Sequence, residues 1–348
     1  MIYQHFLVPI DDTAISAANL RTAIQMAGAL GARITFFHAL LDWSATSDGA
    51  ILRSLDLESN ADLALGSSNV VLSKAVSAAR VLGVAAEACA RVCNRPAEAI
   101  IDAAQRLGCD LIVMASRGPR GGLPGWMYSS QTERVLRRSP VALLVTRVDS
   151  NAPLTAEERA IGIIEDEHRS IAVVVEGLRD IVRNTPQPPG AAVLQELEHV
   201  ITYLGDFPAC VHHPKEEQYL HRLLRQRDAD AELLLREVEA QHRGEHESIE
   251  RALAAFAGLK QNPQGGMPAF AAAAEALASH VLQHIGLEER EVLPLARQRL
   301  AADDWEEIAA TFAENGGPNY GDLSVAEFRR LFSHIANTLS EGGIRALK

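Results

Sequence analysis

The feature that most constrains this chain is a change of periodicity near residue 150. Before it, short β-rich apolar runs alternate with helical stretches; after it, those runs disappear and four long helical patterns follow. Strands and helices bury their apolar faces in different layer architectures, so two such rhythms predict two domains. The 348 residues are enough for each to have its own core.

In residues 1–148 the runs FLVPI (6–10), ITFFHA (34–39), DLIVMA (110–115) and VALLVT (141–146) are short and continuously apolar, with a fifth strand expected at 83–92. Uninterrupted runs of this kind suit parallel strands buried on both faces. Helical periodicity fills the intervals at 14–30, 62–82 and 96–107. The alternation predicts a doubly wound α/β domain over 1–148.

A polar, Pro-containing linker is expected at 149–155. Helical patterns then run at about 156–183, 190–221, 228–258 and 268–298, separated by TPQPPG and QNPQGGMP. Long helices joined by short Pro/Gly turns predict a four-helix bundle over 156–300. A helical tail over 301–348, with helices at 303–313 and 324–340, is expected to pack on it.

Charge divides at the same boundary. Residues 1–148 carry 14 Lys+Arg against 12 Asp+Glu, and the remainder 19 against 33; ten of the twelve histidines lie in the second half. An acidic, His-rich domain is a poor partner for nucleic acid and a good one for a transition metal. No stretch has the roughly 18 apolar residues of a membrane span, and the N-terminus has no basic leader, so a cytoplasmic location is expected. Cys89, Cys93, Cys109 and Cys210 show no CxxC spacing and read as reduced, mostly buried thiols.

Histidine occurs in each of the four helical patterns. The first holds Glu165-Asp-Glu-His168, the second His212-His213-Pro-Lys-Glu216-Glu217, the third His242-Arg-Gly-Glu-His246. The fourth holds His280-Val-Leu-Gln-His284, followed by Glu288-Glu289. Residues four apart on a helix differ by about 40° in direction, so His212 with Glu216, His242 with His246 and His284 with Glu288 can each present two ligands to one site. His213 with Glu217 has the same spacing as His212 with Glu216. Pro214 predicts a kink or a fresh helix start. His280 is expected to line the pocket, and His199, His221 and His334 to be structural or exposed. Tyr203, Glu217 and His280 are candidate acids or bases by sequence proximity.

HHPKEEQYL, GEHESI and HIGLEEREVLP resemble the motifs of the hemerythrin-like, HHE cation-binding family. The resemblance implies a non-haem di-iron centre with oxo or hydroxo bridges, held by five histidines and two carboxylates. Carried over by motif, the ligands are His168, His212, Glu216, His242, His246, His284 and Glu288. The first glutamate of each doublet is the family's ligand, which favours the His212/Glu216 register.

FLVPIDDT, RPAEAIIDAAQRLGCDLIVMASRG and SSQTERVLRRSPVALLV resemble the universal stress protein family. That resemblance implies a five-stranded parallel sheet of order 3-2-1-4-5, a homodimer and, in some members, ATP. The ATP-binding members show Gly-x2-Gly-x9-Gly-Ser/Thr after strand four. Here Ala115 and Ser129 replace two of the glycines and one residue is inserted, so Asp11, Gly118, Ser129 and Ser130 remain as an altered nucleotide loop. Without nucleotide, the domain is a dimerisation module.

The resulting expectation is a stress-response protein whose two iron ions bind or sense dioxygen, nitric oxide or peroxide. The rival readings are a peroxide-decomposing enzyme, an iron store, and a nucleotide-responsive adaptor without metal.

Overall fold

The computed structural model describes residues 3–11, 14–41, 57–116, 131–147, 154–313, 325–340 and 345–346. It divides into two compact units, residues 1–153 with 340–348, and residues 154–339.

In the first unit the strands β1 (His5–Pro9), β2 (Arg33–Leu41), β3 (Ala86–Cys93), β4 (Leu111–Ser116) and β5 (Ala142–Arg147) alternate with helices. These are α1 (Ala14–Leu30), α2 (Leu57–Val81), α3 (Pro96–Arg106) and α4 (Gln131–Arg138). All strand pairs are parallel, and the five strands lie in the order 3-2-1-4-5. Successive strand residues point to opposite faces. Phe6 and Val8 accordingly pack with Leu20, Ile24 and Leu72 beneath α1 and α2. Leu7 joins Phe37, Ile112, Ile100 and Val135 beneath α3 and α4. Both faces of β1, β2 and β4 are covered, which is why their runs are continuously apolar. β5, at the edge of the sheet, is corrected to a partly exposed strand with Val145 open to solvent. Gly108, at φ 67°, closes α3 before the chain turns into β4. All four cysteines are free; Cys89 and Cys109 are buried, Cys93 and Cys210 partly so.

In the second unit α5 (Ala156–Asn184) begins at Thr155, whose side chain accepts from the Glu158 amide while the Glu158 carboxylate accepts from the Thr155 amide. This reciprocal cap satisfies two backbone donors that the helix itself leaves unpaired. The second bundle helix starts as α6 (Ala191–Phe207). It continues without a break through π-helical Pro208–His212, α-helical His213–Lys215, π-helical Glu216–His221 and α-helical Arg222–Arg227. The third is α7 (Glu232–Gln261). The fourth is α8 (Met267–Leu287), extended by π-helical Glu288–Val292 and α-helical Leu293–Arg299. Pro214 does not restart the helix: His213 and Glu216 keep right-handed helical angles, and π-helical turns lie on either side.

Of the tail, α9 (Ala302–Ala313) sends Trp305, Ile308 and Phe312 into the core that holds Ile161 and Ile164 of α5. α10 (Val325–Ser340) packs Phe328 edge to face and Phe332 tilted against Tyr203 of α6. The expected all-helical tail is corrected at its end, where β6 (Arg345–Ala346) pairs parallel to β3 and extends the sheet. An edge strand offers unpaired backbone donors and acceptors that such a segment can satisfy. Among the described residues, no helix is long and apolar enough to cross a membrane.

Candidate metal centre

The bundle interior carries a concentrated cluster of buried polar side chains. There His168 of α5, then His212, His213, Glu216 and His221 of the second helix, His242 and Glu245 of α7, and His284 and Glu288 of the fourth helix are all buried. Five imidazoles turn Nε2 toward two carboxylates. His168 Nε2 lies 3.1 Å from Glu288 and 3.4 Å from Glu216. His212 Nε2 lies 3.4 Å and His242 Nε2 3.9 Å from Glu216. His284 Nε2 lies 3.7 Å and His221 Nε2 3.5 Å from Glu288.

Potential ligand atoms fall into overlapping sets. His168, His212, Glu216 and Glu288 form one, and Glu216, His242, His284 and Glu288 another, so both carboxylates belong to both. A third set joins His213, His242 and His284. His213 stacks on His242 with ring centroids 3.9 Å apart.

The outward nitrogens are held by a ring of further carboxylates. His168 Nδ1 meets Glu289 at 3.3 Å, His212 Nδ1 meets Glu167 at 3.0 Å, and His242 Nδ1 meets Glu217 at 2.6 Å. Glu167 is held in turn by the buried ammonium of Lys215, which also lies 4.8 Å over the Phe312 ring. Carboxylates placed behind imidazoles fix ring orientation and leave Nε2 free for a cation.

Inside that ring, polar atoms stand without hydrogen-bond partners: Nε2 of His212 and His242, both nitrogens of His221 and His284, both oxygens of Glu216, and Oε1 of Glu288. Unpaired buried polar atoms each cost a few kcal/mol, and the Nε2 nitrogens and carboxylate oxygens among them fit the donors of a multivalent cation. Burial opposes charge on His168, yet Glu216, Glu288 and Glu289 hold its pKa well above the usual histidine range. Burial lowers His212 to about 4 against the pull of Glu167, and with neighbouring imidazoles it pushes His284 and His213 well down. Burial and the charge of Glu288 raise Glu216, whereas His284 and His168 hold Glu288 low despite its burial. Burial, then Glu288, drives Glu245 up to about 8.

The structure brings together six of the seven sequence-chosen residues, His168, His212, Glu216, His242, His284 and Glu288. His246 is corrected: its side chain is 64% exposed and faces Glu250 at 3.5 Å. The buried positions of α7 are Leu235, Val238, His242, Glu245, Ile249, Ala252, Phe256 and Leu259, with Ser248 beside Ile249. That alternation of three and four sets a seam on which residue 245 lies and residue 246 does not. The apolar positions alone carried the signal for Glu245. His212 and His213 are both buried rather than alternatives, while Glu217 turns away from Glu216 to hold His242. His221, expected to be structural or exposed, is at the centre. His280 is exposed, against the expectation that it lines the pocket, and its Nδ1 contacts Ser248 at 2.6 Å. Tyr203 packs among Phe207, Phe328 and Phe332.

In the first unit, Asp11 is exposed after β1, and its amide donates to Ser16 Oγ at 2.8 Å. Gly118, Ser129 and Ser130 lie outside the described residues.

Residues 2–147 match the universal stress protein family, and residues 159–296 match the hemerythrin HHE cation binding domain. The chain joins a universal stress protein domain to a hemerythrin HHE domain. The HHE match contains every residue of the centre and ends before the tail helices α9 and α10. Three similar solved structures each cover 42% of this chain. A family member from Burkholderia pseudomallei is 21% identical over 42% of this chain and 96% of its own, with a TM-score of 0.34. A protein from Archaeoglobus fulgidus, solved in complex with dAMP, is 22% identical over 42% and 98%, with a TM-score of 0.30. A third, from Lactobacillus plantarum, is 21% identical over 42% and 99%, with a TM-score of 0.31. None of the curated proteins compared matches this chain. The two domains together mark a stress-related cation-binding protein.

Proposed function

We propose that the HHE domain holds two iron ions between Glu216 and Glu288, surrounded by His168, His212, His221, His242 and His284, and that the loaded centre binds dioxygen, nitric oxide or peroxide. The observation that carries this reading is the sharing of both glutamates between two sets of potential ligands. Imidazole mixed with carboxylate suits iron or manganese, and a carboxylate shared by two sets can bridge two cations. His221 replaces His246 as the fifth imidazole, so the donor count stays at five histidines and two carboxylates. Iron held there would supply redox chemistry and a coordination position for a small ligand. The protein's own part is to orient the imidazoles through Glu289, Glu167 and Glu217, and to keep bulk water from the donors by burial.

Metal content per chain after iron-replete expression, together with the visible spectrum in air, tests this directly. About two irons per chain with oxo-bridged ferric bands is the expected result. Protein that stays colourless and metal-free after anaerobic addition of ferrous iron overturns it.

Glu245 favours a second, enzymatic reading, the removal of peroxide. Its buried carboxyl has an unpartnered oxygen, and its other oxygen lies 3.8 Å from His213 Nε2. A carboxyl there can hold or release a proton beside the histidines, which peroxide turnover needs and reversible ligand binding does not. Iron-loaded protein would then consume peroxide catalytically, and Glu245→Gln would slow it by roughly 100-fold or more while retaining the metal. Equal rates in the two proteins would remove this reading.

A further inference from the structure

A second histidine–carboxylate cluster lies on the outside of the bundle, apart from the buried centre. Glu196 and His199 stand one turn apart on α6, and His334 comes from the C-terminal helix α10. Glu196 Oε2 is 3.1 Å from His334 Nε2 and 3.6 Å from His199 Nδ1. The two imidazoles meet edge to face with centroids 5.0 Å apart. One potential ligand atom from each of the three residues lies within 4.8 Å of the other two.

Two observations set this cluster apart from an ordinary surface ion pair. The Glu196 side chain is only 14% exposed, and its Oε1 is buried with no hydrogen-bond partner; the same is true of His199 Nδ1. The spacing also fits a metal. Donors about 2.0–2.1 Å from a tetrahedral ion stand roughly 3.3 Å apart, and the two separations from Glu196 lie on either side of that value. The aromatic packing of Phe328 and Phe332 around Tyr203 sets the distance between the two helices.

We propose that Glu196, His199 and His334 form a site for one divalent transition-metal ion of the zinc type, which fastens α10 to α6. Two imidazole nitrogens and one carboxylate oxygen suit zinc, cobalt or nickel, whereas calcium and magnesium prefer all-oxygen sets. Three protein ligands leave a further position that water fills at this half-exposed surface. The ion makes the docking of the tail helix metal-dependent, because one of its three ligands belongs to α10 and two belong to the bundle.

Zinc chloride titrated into the full-length protein, after iron loading and desalting, tests the site by calorimetry and by metal analysis. His334→Ala and His199→Ala alter partly exposed side chains outside the buried centre, so the difference from the parent protein isolates this site whatever occupies the other. Each variant is expected to bind one zinc fewer per chain, or to bind it at least tenfold more weakly. Zinc is also expected to slow hydrogen exchange across residues 325–340 in the parent protein and not in His334→Ala. The same zinc stoichiometry and affinity in all three proteins, with exchange in α10 indifferent to zinc, would overturn the proposal.

Discussion

The Glu217 carboxylate accepts a hydrogen bond from His242 Nδ1 at 2.6 Å, while its sequence neighbour Glu216 turns both oxygens into the bundle interior. The pattern recurs in the fourth helix, where Glu288 faces inward and Glu289 meets His168 Nδ1. Each Glu-Glu doublet therefore does two jobs, one carboxylate facing the donors and one aligning an imidazole from another helix.

Glu217→Gln removes the charge behind His242 and keeps its shape. Outer carboxylates of this kind typically contribute about 10–100-fold in metal affinity. The substitution is expected to leave the helical circular dichroism unchanged and to speed loss of metal to a chelator by about that factor. Unaltered release would mean that the Glu217–His242 contact does not tune the site.

His221→Ala and His246→Ala distinguish the geometry of the bundle from the spacing in the sequence. His246→Ala is expected to retain full metal content and to change stability by no more than about 0.5 kcal/mol, as for an exposed residue. His221→Ala is expected to lower metal occupancy. The opposite ranking in metal analysis would restore His246 as a ligand.

Lys215 and Glu167 form a buried ion pair behind His212. Removing one partner of such a pair leaves an uncompensated charge and typically costs about 3–5 kcal/mol. Lys215→Ala should therefore lower the urea midpoint substantially, with additional loss of the ammonium contact over Phe312. A midpoint shift worth less than about 1 kcal/mol would show that solvent relieves Glu167.

Glu245 links stability to pH in the metal-free protein. Burial raises it from an ordinary 4.5 to about 8, so the folded state keeps a proton that the unfolded chain has released. Its contribution is greatest below pH 4.5 and is lost as pH rises toward 8, by up to about 1.4 kcal/mol per pH unit. Denaturant unfolding of metal-free protein between pH 5 and 8 should show a steeper fall than in Glu245→Gln. Parallel profiles would place Glu245 in contact with water.

The two architectures were legible in the sequence because each rests on a local period. Continuous apolar runs marked the buried strands β1, β2 and β4, though the run of β5 is partly exposed at the sheet edge. The long helical patterns marked the bundle helices to within a few residues. His212 with Glu216 and His284 with Glu288 were legible too, since four-residue spacing needs only α-helical geometry.

Tertiary structure decided the rest of the centre. Glu216 and His221 are five residues apart, which on an α-helix separates them by about 140°. The π-helical turn at Glu216–His221 takes up roughly one more residue per turn and returns His221 to the same face. No local spacing rule reports such a turn, so His221 was hidden. On α7 the choice between Glu245 and His246 depended on the phase of the whole buried seam, which overrode the four-residue spacing of His242 and His246. The carboxylates behind His168, His212 and His242 join residues 121, 45 and 25 positions apart. Sequence determined which chemical groups each helix carries, because composition and period are local. Only packing decided which of those groups meet, because contact across a bundle depends on the rotation of every helix at once.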